Sequence, residues 1–177
     1  MAELWDIYDK HRNKTGRFAE RGNYRFKEGE YHLIVAALII NSKNEILMTK
    51  RATTKKNEPL KWEFTGGAVV AGETSLQAML REIYEEIGLK FKPEDAIYLM
   101  EKRKDKIPSN FKDIWLFKKD LKIEDIKFLD EEAIDAKWVT IEELLQMENN
   151  KETISTIDFG MEEYKSAIIL SISENRR

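Results

Sequence analysis

The stretch from Gly67 to Leu89 constrains the fold more than any other, because both ends of a helix can be placed in it without reference to the rest of the chain. Thr74 and Gln77 form a T-x-x-Q capping box, which satisfies part of the free N–H set of a first turn. Gly88 follows the last turn, where a left-handed residue closes a helix, and Leu89 is placed to pack back on it. The register of the helix from Ser75 to Ile87 is therefore fixed. At about 100° per residue, Leu76, Met79, Leu80, Ile83 and Ile87 share one arc, the expected core face. Glu82, Glu85 and Glu86 share the adjoining arc, with Arg81 at its edge.

Three carboxylates at i, i+3 and i+4 repel one another, and each like-charge pair costs a few tenths of a kcal/mol, roughly, on an exposed helix. At the boundary of a core the cost is larger, because water screens it less. A glutamate run by itself is most simply a solvated face. The preceding loop shifts that balance. Gly66-Gly67 and Gly72 permit tight turns and close approach of a ligand or another segment, and Glu73 stands just before the helix. A main-chain carbonyl near Gly67 can join the glutamates around a cation. Such hard oxygen donors suit Mg²⁺ or Mn²⁺.

Around this unit the pattern predicts a single domain over 1–177, with an N-terminal β-hairpin or arm over 1–30 and a core over 31–177. Strands are expected at Leu4 to Asp9, near Arg17 to Arg21, at Tyr31 to Asn41 (buried on both faces), and, after the turn Asn41 to Asn44, at Glu45 to Arg51, which returns along the strand before it. A short strand from Lys61 to Thr65 ends at the glycine pair. Further strands are expected at Ala96 to Lys102, Phe111 to Lys118 and Ala133 to Val139, and helices at Ile141 to Met147 and near Gly160 to Ser173. This is an α/β (α+β) chain, a mixed sheet sandwiched between helices.

Composition excludes several classes. There is no cysteine, which removes disulfides, thiolate metal sites and thiol catalysis. The net charge of −3 marks neither a nucleic-acid binder nor a membrane-surface protein. The start lacks the pattern of a secretory signal, and the apolar run Leu33 to Ile40 is too short for a bilayer span. A cytoplasmic location, with no nucleic-acid or membrane partner, is the expectation.

Gly67, Glu73, Arg81, Glu82, Ile83, Glu85, Glu86, Gly88 and Leu89 fill every fixed position of G-x5-E-x7-R-E-U-x-E-E-x-G-U, with U aliphatic. A chance match in a chain this long is on the order of one in ten million. The segment resembles the signature of the Nudix hydrolases, and the likeness extends through the strands before it, Trp62, and Glu132 ahead of Trp138. The resemblance implies a Nudix fold and a Mg²⁺- or Mn²⁺-dependent pyrophosphohydrolase that cleaves a phosphoanhydride bond of an organic diphosphate, nucleoside or other. It implies that Glu82, Glu85 and Glu86, with Gly67, hold the metal. It also implies that Glu73 and Arg81 lock loop to helix in a structural role. Metal ions invert the field of an acidic site, so that it accepts an anionic substrate and activates water. Glu82 and Glu132 are the candidates for the proton-accepting carboxylate.

Within the superfamily the first half is similar to the isopentenyl-diphosphate isomerase branch, through the acidic start, His32, Lys50-Arg51 and the Lys55-Lys56…Pro59…Trp62 pattern. Those isomerases use a cysteine acid and a metal-binding histidine near the loop that reads Phe64-Thr65-Gly66-Gly67 here, and this chain has neither there. A hydrolase of the isomerase-like subgroup is therefore expected. The alternatives are an isomerase-like enzyme or a non-catalytic nucleotide-binding module. Arg51, Lys55 and Trp62 are the candidate substrate-binding residues. Lys56, Phe64 and Trp115 are weighed beside them against solvated-loop or core roles. His32 has two readings: its isomerase counterpart binds metal, while a histidine opening a buried strand is more often a hydrogen-bonded structural residue. The N-terminal segment is a candidate arm for a homodimer.

Overall fold

The computed structural model describes residues 2–157, 166–168 and 170. It opens with an antiparallel hairpin, β1 (Leu4–Tyr8) and β2 (Lys14–Glu20), with Leu4 opposite Glu20 and Tyr8 opposite Lys14. Strand β2 begins earlier than the sequence suggests because the turn is tight. The Asp9 carboxylate accepts the backbone N–H groups of His11 (2.8 Å) and Asn13 (2.9 Å), a local turn that asparagine and aspartate favour.

Seven strands form the main sheet: β3 (His32–Ile40), β4 (Ile46–Arg51), β5 (Trp62–Glu63), β6 (Gly66–Ala68), β7 (Ile97–Lys104), β8 (Asn110–Lys118) and β9 (Ala133–Val139). Strand β8 lies parallel to β3 over its whole length, and β7 returns antiparallel beside β8. Two expectations need correction here. Strand β4 does not return along β3: after Ile40 opposite Ile46 it diverges and pairs with β9 and β5. The place beside β3 is taken by β6, with Gly66 opposite Ala36 and Gly67 opposite Val35. The glycine pair therefore does not end a strand but forms one. A β-carbon on Gly66 would overlap the Val35 carbonyl oxygen, so only a bare backbone fits so close to β3.

Strand β3 is buried on both faces, and its alternation sorts the core into two layers. Leu33, Val35, Ala37 and Ile39 pack with Met79, Ile83 and Ile87 of helix α1 (Ser75–Ile87). Leu38 and Ile40 pack on the other side with Leu144 and Met147 of helix α2 (Ile141–Asn149), Ile157 and Ile168. Each such aliphatic side chain contributes about 1.5–3 kcal/mol when fully buried. Residues 166–168 and 170 are helical. The remainder of the helix expected near Gly160 to Ser173 lies outside the described residues. No helix among the described residues is long and apolar enough to cross a membrane.

Helix α1 has the ends its sequence specifies. Thr74 and Gln77 complete the capping box, and Gly88 adopts the left-handed conformation at φ 70°. The buried face is rotated slightly from the one expected. Ala78 and Glu86 are buried, whereas Leu76 and Leu80 are half-buried. One glutamate of the acidic arc is thus turned into the protein.

Candidate active site

Arg81 organises the start of the site. Its Nε and Nη2 donate to the two Glu73 carboxylate oxygens, at 2.9 Å each, and Nη2 also donates to the Ala68 carbonyl at 3.1 Å. Nη1 donates to Glu82 (2.7 Å) and Glu85 (3.0 Å). Glu73 in turn accepts the Val70 N–H at 3.1 Å. This fork ties the loop between β6 and α1 to the helix at several points, and bidentate guanidinium–carboxylate geometry makes the tie directional.

Past Arg81 the carboxylates differ in setting. Glu85 is exposed. Glu82 is mostly covered and lies against the Gly67 backbone, where a β-carbon would stand 2.5 Å from its carboxyl atoms. Glu86 is only 4% exposed, and its Oε2 has no hydrogen-bond partner among the described residues. Burial pushes the Glu86 carboxyl well above the usual carboxylate range, and the charges of Glu63, Glu82 and Asp130 push it the same way, against a lowering by Lys55. Burial likewise raises Glu82, opposed by Arg81, and raises Glu63 and Asp130. Carboxylates from α1, β5 and the loop before β9 thus sense one another across a partly desolvated space.

The residues expected to meet substrate are distributed around this space. Lys55 is ion-paired with Glu132, and the Ala52 N–H donates to the Glu132 carbonyl at 2.8 Å, so loop 52–61 and the loop before β9 meet there. Arg51 donates to both Glu63 oxygens (2.9 and 2.8 Å) and to the carbonyls of Asn57 and Glu58. Its guanidinium is engaged in holding that loop against β5. Trp62 is half-buried beneath two ammonium groups, Lys137 at 4.4 Å and Lys50 at 5.5 Å from the ring centre. Phe64 is buried in the α2-side core. Trp115 donates its indole N–H to Ser75 at 2.9 Å. Lys56 is exposed. His32 stacks on Trp5 and lies tilted against Phe26, with ring centres 5.0 Å apart in each pair, and its Nδ1 is 3.2 Å from the Ser109 carbonyl.

Two acids of this space, Glu63 and Asp130, are absent from the sequence reading. Glu63 carried a usable signal, a charge between Trp62 and Phe64 in an otherwise apolar stretch. Asp130 carried none, since nothing local separates it from Glu131 and Glu132.

A divalent ion suits this donor set. The Glu86 Oε2 is a buried oxygen with no partner among the described residues, and the bare Gly67 backbone leaves room for the Glu82 carboxylate beside it. No three acidic or imidazole groups among the described residues are gathered tightly enough to grip an ion as they stand. The Arg81 guanidinium pairs with Glu82 at 2.7 Å and Glu85 at 3.0 Å, and so holds both carboxylates on its own side.

The NUDIX domain model matches residues 30–157. The chain is 34% identical, over 153 residues, to an uncharacterized Nudix hydrolase of Listeria monocytogenes, covering 86% of this chain and 88% of that one. Among solved structures it resembles a Deinococcus radiodurans protein, with a TM-score of 0.71 at 22% identity over 85% of this chain and 91% of that one. It also resembles the NUDIX domain of Shewanella oneidensis NrtR complexed with ADP ribose, with a TM-score of 0.59 at 16% identity over 87% and 94%. At those identities the two likenesses establish a shared fold.

Proposed function

This chain belongs to the Nudix family and is a hydrolase of pyrophosphate bonds; on that premise we propose that Glu82, Glu85 and Glu86 hold a divalent cation, Mg²⁺ or Mn²⁺, and that the substrate is a small organic diphosphate. The observation that carries the reading is Glu86, whose buried, unpartnered oxygen sits among other acids at a cost that a cation would offset. When bound, such an ion neutralises phosphate charge and makes water a better nucleophile at neutral pH.

The chain's own groups supply the rest. Arg81 and Glu73 fix the loop against α1 and so set where Glu82 stands relative to Gly67. Glu82 and Glu132 are the candidate carboxylates for accepting a proton from attacking water. Glu82 is the more covered of the two, and Glu132 is steadied by Lys55. Lys55 and Trp62 are retained as substrate contacts. For Arg51 a positioning role fits better, since Glu63 and the 57–58 carbonyls already take its donors. The ADP ribose bound to the Shewanella domain supports a nucleoside diphosphate derivative as the substrate class.

The test is a panel of nucleoside and other organic diphosphates incubated with Mg²⁺ and with Mn²⁺, for the wild type and for Glu82→Gln. The wild type is expected to release product from at least one compound. The variant is expected to lose at least about 10²-fold in turnover, the size of effect that removing a group aimed at developing charge produces. Undiminished turnover in E82Q, or a wild type that takes up no Mn²⁺, would overturn the proposal.

A further inference from the structure

Between β6 and α1 the chain makes one tight turn, and its geometry decides where Glu73 stands. The Glu73 N–H donates to the Val70 carbonyl at 3.0 Å, which closes a four-residue turn, and Gly72 at the third position has φ 89°. A positive φ there is what a type II turn requires, and glycine supplies it without strain. The turn is tied a second time by a side chain, since Glu73 Oε2 accepts the Val70 N–H at 3.1 Å. From Glu73 the constraint passes to α1. Arg81 forks onto both Glu73 oxygens and reaches on to Glu82 and Glu85.

The turn does not satisfy itself. Its own bond uses the carbonyl of its first residue and the N–H of its last, so the N–H groups of Ala71 and Gly72 have no partner within it. Backbone donors in a folded chain need partners, and strand β1 supplies both. The Ala71 N–H donates to the Leu4 carbonyl at 2.7 Å, and the Gly72 N–H donates to Asp6 Oδ2 at 3.0 Å. The Lys14 ammonium of β2 donates to the same oxygen at 2.7 Å. Asp6 is only 9% exposed, in a strand whose next two residues, Ile7 and Tyr8, are core. Burial works to raise its carboxyl, but Lys14 and the Gly72 N–H outweigh it and hold the group below the usual carboxylate range. The acceptor is thus charged at neutral pH, and a charged acceptor makes the stronger bond.

An ion pair between β1 and β2 would account for Lys14 alone. It does not account for the same oxygen taking the N–H of Gly72, sixty-six residues along the chain. The β1–β2 register also shifts between Asp6 and Tyr8, an irregularity of the kind that re-aims a side chain. The NUDIX domain match begins at residue 30, so the whole hairpin lies outside it.

We infer that Asp6 is a positioning residue of the active site. Through the Gly72 N–H it holds the turn that sets Glu73 against Arg81, and through Arg81 it fixes Glu82 and Glu85 for the metal ion. The N-terminal hairpin is thereby part of the support of the site. The inference rests on the function proposed above and adds to it a group from outside the matched domain.

The test is Mn²⁺ affinity by titration, well below each melting temperature, for the wild type, Asp6→Ala, Asp6→Asn, Arg12→Gln and Glu82→Gln. Arg12 ties the far end of the hairpin to Asp113, so R12Q loosens the hairpin without touching the turn and gauges general destabilisation. D6A is expected to bind Mn²⁺ about tenfold more weakly, the lower end of what losing support behind a metal ligand costs. D6N keeps a neutral acceptor for Gly72 and should recover most of that loss, binding about threefold more weakly than the wild type. R12Q should keep wild-type affinity while its Tm falls. Wild-type affinity in D6A, an equal loss in R12Q, or no recovery in D6N would overturn the positioning role and leave the metal reading standing. If D6A does not fold, D6N decides alone, and full wild-type affinity in it would overturn the role. Absence of Mn²⁺ uptake by the wild type, or uptake unchanged in E82Q, would instead overturn the metal reading.

Discussion

Glu86 sets charge against burial within a single side chain. It occupies a core position of α1, four residues after Glu82 and seven after Met79, where the helix period would place an aliphatic side chain. Its carboxyl is raised first by burial and then by Glu63, Glu82 and Asp130. A raised carboxyl means that its ionised form destabilises the fold, so replacing it with a neutral side chain of the same shape removes the conflict. Glu86→Gln is therefore expected to be more stable than the wild type in metal-free buffer at pH 7. A gain on the order of 1 kcal/mol, the scale of a favourable substitution, raises Tm by about 2–4 °C in a chain of this size. Mn²⁺ should then reverse the order, because it stabilises only the protein that binds it. Thermal melts with and without Mn²⁺ read both effects. A metal-free E86Q less stable than the wild type would mean that the buried carboxylate contributes to the fold and is not in conflict with it.

At the scale of elements, legibility followed locality. The ends of helix α1 were readable because its capping box and its Gly88 lie within fifteen residues or so, while its buried face, which takes in Glu86, was read only in part. Strands β5 and β6 were not, because which strand takes the edge of β3 depends on where β4 goes after Ile40, a matter decided far along the chain at β9. The candidate site divides in the same way. The acids of α1 follow from spacing, whereas Glu63 and Asp130 reach the same space from separate elements, and no local pattern links them. The glycine pair of β6 gives the contrast to test. A β-carbon on Gly66 meets the Val35 backbone carbonyl, which is fixed in the sheet, while one on Gly67 meets the movable end of the Glu82 side chain. Gly66→Ala should cost on the order of 3 kcal/mol or more in urea unfolding. Gly67→Ala should cost less than about 1 kcal/mol, since one flexible side chain can give way, and should weaken Mn²⁺ binding about tenfold or more by displacing Glu82. Equal stability losses in the two variants would show that Glu82 is as immovable as backbone.

For the molecule as a whole, the hairpin is joined to the sheet by contacts of different character, and acid distinguishes them. One is ionic: Arg12 donates to both oxygens of buried Asp113, at 2.8 and 2.6 Å, and also pairs with Glu101. Another is the aromatic cluster of His32 with Trp5 stacked on it and Phe26 tilted against it, which holds the β1 side against the start of β3. Burial lowers the His32 pKa from its ordinary 6.5 to about 4, helped by the Lys104 charge and opposed by the Ser109 carbonyl. The unfolded chain therefore takes up a proton near pH 6.5 that the folded chain refuses until about pH 4. Stability from this residue is complete above pH 6.5 and falls as the pH drops through that window, by at most about 1.4 kcal/mol per unit. The raised carboxyls of Glu63, Glu82, Glu86 and Asp130 act with the opposite sign, since the folded state holds their protons more firmly than the unfolded one. The wild-type profile alone would mix the two, so the quantity to measure is the stability difference between the wild type and His32→Gln in urea at pH 7, 6 and 5. The variant loses the stack and should be the less stable at pH 7, with the gap closing steadily toward pH 5. Amide exchange should show the acid-induced opening of the wild type first in β1 and β2. A gap that stays constant across the three pH values would mean that the ring beneath Trp5 titrates alike in the folded and unfolded chains, and that acid does not act on the hairpin through it.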